Sequence, residues 1–166
     1  MKKAVNKKSM MQKMALLFCT ILFGTLAGCS SDDSGNPTVT LPEGKNIKLT
    51  LTMTGVATDD YISFVAAGGT HNPNQNTIWK LNGVSQPGET AISLDKNKFT
   101  GGTTTYVLES EVPMAAVAVG MQFIATANPT HSFTFSYKAE VNGVVVKEEN
   151  NVTVAPNADY SHNYSY

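Results

Sequence analysis

The stretch HSFTFSYKAEVNGVVVKEENNVTV, residues 131–154, leaves this chain little choice of fold. Phe133, Phe135, Tyr137, Ala139 and Val141 alternate with Ser132, Thr134, Ser136, Lys138 and Glu140. A period of two puts one apolar and one polar face on an extended strand. Asn142-Gly143 follows, a pair that accepts the positive φ angles of a type I′ turn, so Val144 starts an antiparallel return strand. A single hairpin is marginal in water, and its apolar face has to be covered by further strands.

The rest of the chain supplies them. In KNIKLTLTMTG, Ile47, Leu49, Leu51 and Met53 alternate with Lys48, Thr50, Thr52 and Thr54, which predicts a half-buried strand. YISFVAA at 61–67, closed by Gly68-Gly69, TIWKLNG at 77–83, TAISLD at 90–95 and TTTYVLES at 103–110 are further runs, bounded by Asn-Gly, Pro-Gly and Gly-Gly pairs. MAAVAVGMQFIATA, 114–127, would suit a helix by its alanines. However, Pro113, Gly120 and Asn128-Pro129 and the alternation of Val117, Val119, Met121 and Phe123 favour a long or bulged strand. Val152 and Val154 extend the return strand or begin another, and DYSHNYSY, 159–166, reads as a last strand with Tyr160, His162, Tyr164 and Tyr166 on one face. Eight or nine strands with turns about every ten residues predict an all-β domain: a single antiparallel β-sandwich, immunoglobulin-like or jelly-roll, with a closed barrel as the alternative.

The N-terminus has a different character. MKKAVNKKSMMQK is basic, and MALLFCTILFGTLA, Met14–Ala27, is an uncharged run of 14 residues. As a helix it would span ~21 Å, short of a ~30 Å hydrocarbon core, so it fits a signal peptide better than a membrane span. Leu26-Ala27-Gly28-Cys29 then resembles the lipobox of bacterial lipoproteins. The resemblance implies diacylglycerol on the Cys29 sulfur and cleavage before Cys29 by signal peptidase II, with Leu26, Ala27 and Gly28 read by the peptidase. Ser31-Asp32-Asp33 resembles the acidic export signal of Bacteroidota surface lipoproteins, and the surrounding SSDDSGNP has the composition of a tether. The expected division is a signal peptide over 1–28, lipidated Cys and tether over 29–44, and a β-sandwich over 45–166. Several acyl chains on one residue suffice for stable anchoring without a membrane span. The expected location is the outer membrane, lipid-anchored and facing the exterior, with the periplasmic face as the alternative.

Charge and cysteine usage narrow the function classes. Five of the twelve lysines precede the apolar run, so from Cys29 onward seven lysines face thirteen acids, a formal net charge of −6. The chain has no arginine, the usual bidentate reader of phosphate and base edges, which argues against nucleic acid as a partner. Beyond Cys29 there is no thiol for a disulfide, a zinc site or a nucleophile.

No nucleotide, hydrolase or metalloprotease motif is present. His71, His131 and His162 lie far apart, so no catalytic residue, metal site or cofactor is expected. Asp59-Asp60 could contribute to a calcium site but more commonly caps a turn, and Glu109 and Glu111 lack the partner across a cleft that glycosidase chemistry needs. The most binding-like stretch is AGGTHNPNQNTIWKLNG, 67–83, where Asn72, Asn74 and Gln75 offer planar amides beside Trp79. Amides suit sugar hydroxyls and an indole face suits a sugar ring; the competing reading buries Trp79 in the sheet core beside Leu81. The Tyr-rich end either completes the sandwich or serves as a sticky edge for protein contact. The expected function is a non-enzymatic binding or accessory module for a glycan or an envelope protein. The alternatives are a structural subunit of a surface assembly such as a pilus, and a small hydrolase or inhibitor.

Overall fold

The computed structural model describes residues 43–125 and 131–166. Cys29, Leu26–Gly28 and Ser31–Asp33 lie outside the described residues. Thr40–Tyr166 forms one compact unit and holds every buried side chain named below.

The described residues fold into ten strands: β1 Ile47–Thr54, β2 Tyr61–Gly69, β3 Trp79–Leu81, β4 Val84–Ser85, β5 Ala91–Asp95, β6 Thr103–Ser110, β7 Ala116–Ile124, β8 Phe133–Val141, β9 Val144–Val154 and β10 Asp159–Ser165. They form two antiparallel sheets, β4-β3-β6-β1-β8-β9 and β10-β7-β2-β5, packed as the expected all-β sandwich. Ten strands replace the expected eight or nine. Asn82-Gly83 is itself a hairpin turn, with φ of 49° and 79°, and it sends Val84-Ser85 back against Leu81 and Lys80. Two residues are too few to show a period.

The second Asn-Gly pair, Asn142-Gly143, has φ of 51° and 79° and joins β8 to β9 as its composition requires. Both turns are fastened in the same way. The Asn82 side chain accepts from Val107 N at 2.8 Å while Asn82 N donates to the Val107 carbonyl; the Asn142 side chain accepts from Asn46 N at 2.8 Å while Asn142 N donates to Asn46. Asparagine therefore does two jobs here, taking the left-handed backbone and tying the turn to the neighbouring strand.

The apolar face of β1, with Ile47, Leu49, Leu51 and Met53 buried, lies at the centre of the six-stranded sheet. Each such side chain contributes about 1.5–3 kcal/mol on burial. The sheets meet through aromatic rings, with Phe123 edge-on to Phe135 at 5.0 Å and Phe64 against Tyr137 at 6.2 Å. On the outer face of the six-stranded sheet, threonines pair across strands, Thr52 with Thr105 at 2.8 Å and Thr54 with Thr103 at 2.9 Å.

Within the segment read at 114–127, Ala116–Ile124 forms a regular strand. β7 pairs β2 on one side and β10 on the other without a shift in register, and Gly120 sits opposite Val65 and Asn163. The bulges fall instead in β9, between the Phe135 and Tyr137 pairs and between the Ala139 and Glu140 pairs. Asn151, at φ 50°, forms the first of them and donates its N–H to Ser136 Oγ at 2.9 Å. Across these bulges β9 runs on to Val154, so Val152 and Val154 extend the return strand.

Candidate functional site

The loop between β2 and β3 is built by short-range hydrogen bonds that its residues make readily. Thr70 Oγ1 donates to the Asn72 carbonyl at 2.8 Å and accepts from Asn72 N at 3.2 Å. Asn72 Oδ1 then accepts from Asn74 N at 3.0 Å, and Gln75 N donates to the Asn72 carbonyl at 3.0 Å, closing a turn with Pro73 at its second position. Gln75 Nε2 donates to the Thr77 carbonyl at 2.7 Å. This fixed loop and the Val112-Pro113 segment enclose an open groove of about 320 Å³, lined by Gly44, Thr70, His71, Asn72, Gln75, Val112 and Pro113. Gly44 presses so closely on Pro113 that an added Cβ would come within 2.6 Å of the Pro113 Cβ, so that wall accepts only glycine.

The sequence-predicted residues divide at this groove. Asn72 and Gln75 line it; Asn74 does not, and its backbone serves the turn instead. Trp79 is 0% exposed, which rules out an indole platform for a sugar ring. It faces the core and packs beside Gly68, where an added Cβ would come within 3.2 Å of Trp79 Cζ2. Its indole N–H donates to the Thr90 carbonyl at 3.1 Å. Gly68 in the opposing sheet makes the space that buries the ring.

The acidic candidates separate too. Asp60, 2% exposed, accepts at Oδ2 from Ala57 N at 2.8 Å, the turn-capping role, and lies 2.9 Å from His131 Nε2. Glu109 pairs with Lys48 at 3.3 Å on the outer sheet face, whereas Glu111 accepts from Ser85 Oγ at 2.7 Å. His71 is at the groove, His131 at Asp60 and His162 among tyrosines. Among the described residues, no group of three or more His, Cys, Asp or Glu is placed to hold a metal, and no helix is long and apolar enough to cross a membrane.

A second surface is formed by the Tyr-rich end, which completes the four-stranded sheet as its edge strand. One face of β10 carries Tyr160, His162 and Tyr164, continued by Tyr166, as a row of rings; His162, Tyr164 and Tyr166 are near-parallel, with centroids 6.0 and 6.4 Å apart, and Tyr160 is tilted against His162 at 4.5 Å. Tyr137 of β8 meets the row by a 3.0 Å hydroxyl contact with Tyr166, and Lys147 of β9 lies 5.5 Å above the Tyr164 ring. Burial, reinforced by the Tyr166 hydroxyl, pushes Tyr137 far above its ordinary ionisation range. Burial raises Tyr160 as well, with the Tyr164 hydroxyl adding to it. Burial raises Tyr166 too, against an opposing hydrogen bond from Tyr137. These hydroxyls stay protonated, closing the side of the sandwich. Period-two alternation had placed the rings on one face; which core they cover depends on long-range pairing.

No protein-family model and no curated protein matches the chain. Solved structures do resemble it. A DUF4425 family protein from Bacteroides ovatus has a TM-score of 0.53 at 12% identity, covering 75% of this chain and 94% of that one. The calcium-bound form of a protein from Parabacteroides distasonis has a TM-score of 0.57 at 14% identity, covering 84% and 99%. A domain of unknown function, DUF4425, from Bacteroides vulgatus has a TM-score of 0.53 at 9% identity, covering 76% and 95%. At these identities the likeness is one of fold: this chain has the β-sandwich of these Bacteroides and Parabacteroides proteins.

Proposed function

We propose that the protein is a lipid-anchored surface protein of a Bacteroidota cell envelope, held on the outer membrane through Cys29. Its β-sandwich acts without catalysis as a binding or accessory module for a glycan. The anchor rests on the Leu26-Ala27-Gly28-Cys29 lipobox and the Ser31-Asp32-Asp33 signal behind it. The source is supported by the Bacteroides and Parabacteroides origin of the fold's neighbours.

The single observation that carries the binding reading is the groove at the β2–β3 loop, where Asn72, Gln75, Thr70 and His71 converge over a Val112-Pro113 wall. Amides and a hydroxyl held by a rigid loop suit hydrogen bonding to sugar hydroxyls, with no ring-stacking platform involved. Calcium is left out of the proposal, because Asp60 already serves the Ala57 turn and His131.

Screening residues 40–166 on a glycan array tests the reading, with Asn72→Ala/Gln75→Ala as the control. A hit that the double variant loses supports it; silence across the array, or hits the variant retains, defeats it. For the anchor, radioactive fatty acid should label wild type and not Cys29→Ala, and protease shaving of intact cells should remove the domain.

A further inference from the structure

Among the described residues the two sheets end in four edge strands, and three of them carry a device that discourages pairing. β4 is two residues long. β5 is five residues long and runs straight into a 3-10 turn at Lys96–Lys98, where the Lys96 ammonium is held by the Thr58 carbonyl. β9 is interrupted by two bulges and carries Lys147, Glu148 and Glu149 along its middle. β10 has none of these. It pairs with β7 over seven residues without a shift, it contains no Lys and no Pro, and its one charge, Asp159, stands at its start.

The direction of its free backbone groups follows from one pair. Val117 and Tyr166 exchange both hydrogen bonds, at 3.0 and 2.9 Å. In an antiparallel ladder such pairs recur every second residue. Tyr164, His162 and Tyr160 therefore bond inward to β7, and the N–H and C=O groups of Ser161, Asn163 and Ser165 point to the open edge. Their side chains, small and uncharged, are exposed on the outer face of the sheet.

From this edge we infer that β10 is a self-pairing surface whose partner is a second copy of the same chain, docked antiparallel about a two-fold axis at Asn163. The parity of the free groups selects that register. Asn163 meets the partner copy's Asn163, and Ser161 meets Ser165, so each outward residue exchanges its bonds with another outward residue. On the inner face His162 falls opposite Tyr164 and Tyr160 opposite Tyr166, continuing the aromatic row across the axis. Charge points the same way. Residues 160–166 include no Lys, Arg, Asp or Glu, so no like-charged pair of these side chains meets at the junction, although the chain from Cys29 onward carries a formal net −6. The contact is isologous and closes on itself as a dimer rather than running on as a filament. A pairing of seven residues falls short of the roughly 1,600 Å² of a standard stable interface, so the dimer is weak in solution, and a shared membrane surface would favour it by raising local concentration.

Sedimentation equilibrium of residues 40–166 over a broad concentration series tests this, with variants at the residue that meets itself. Wild type should dimerise with rising concentration. Asn163→Lys and Asn163→Asp should each weaken the dimer at least tenfold by placing like charges on the axis, and an equimolar mixture of the two should recover it. In parallel, hydrogen exchange at the Ser161, Asn163 and Ser165 amides of wild type should slow as concentration rises. A wild type monomeric throughout overturns the proposal and leaves the edge to a strand of another protein. Dimers unaffected by both substitutions, or exchange unchanged at these amides, overturn it as well.

Discussion

The loop around Thr70–Gln75 and the strand Asp159–Ser165 are made of similar residues, histidine, asparagine and hydroxyl side chains with almost no charge, yet they present opposite surfaces. In the loop, Pro73 and the Asn72 side chain turn the backbone on itself, so main-chain groups are used internally and amide side chains line a groove. In the strand, Tyr160 and Tyr164, with His162 between them, line one face against the core, and alternate backbone groups are left at an edge. A proline and an Asx turn thus make a ligand-facing loop from a composition that periodic aromatics make into a strand.

The comparison can be broken at the anchor of each region. The largest effect is expected from Trp79→Ala, which removes a fully buried ring and its bond to Thr90; urea unfolding should show a loss of about 3–5 kcal/mol. Because Trp79 begins the strand that follows the loop, exchange should accelerate at residues 70–78 before it does in β10. Next comes alkali. Tyr137 ionises far higher in the folded state than in the unfolded chain, so its stabilising contribution is complete below pH 10 and is lost as pH rises beyond it. Above pH 10 the loss should approach about 1.4 kcal/mol per pH unit for this one group. Tyr137→Phe should flatten that slope, which denaturant titrations at stepped pH would show.

Asp60→Ala removes a turn cap and the partner of His131, and should cost about 1–3 kcal/mol in the same unfolding assay. The smallest stability effect belongs to Asn72→Ala/Gln75→Ala, about 1 kcal/mol, because the pair loses two loop hydrogen bonds, one at exposed Asn72 and one at half-buried Gln75. The same double variant should abolish glycan binding. Stability and recognition would then separate at the loop.

Much of the fold was readable from the chain itself. Alternation marked β1, β7, β8 and β10, and Asn142-Gly143 announced its hairpin, because period and turn chemistry are local properties. What depended on distant partners was not readable. Trp79 is buried because Gly68, in the other sheet, leaves room for it, and Asp60 meets His131 across 71 positions. The two amides at the groove were legible as polar loop residues, but their convergence with Val112-Pro113 was not. Nor could the edge position of β10 be read, since which strand pairs with which is settled by the whole sandwich.

The most direct measurement is an amide NMR titration of residues 40–166 with an array-selected oligosaccharide at fixed protein concentration. The predicted result is a set of shifted resonances confined to Thr70–Gln75 and the neighbouring Val112, with Ser161, Asn163 and Ser165 unmoved. Shifts centred on β10, or a loop that does not respond while the sugar binds, would contradict the assignment of recognition to the loop.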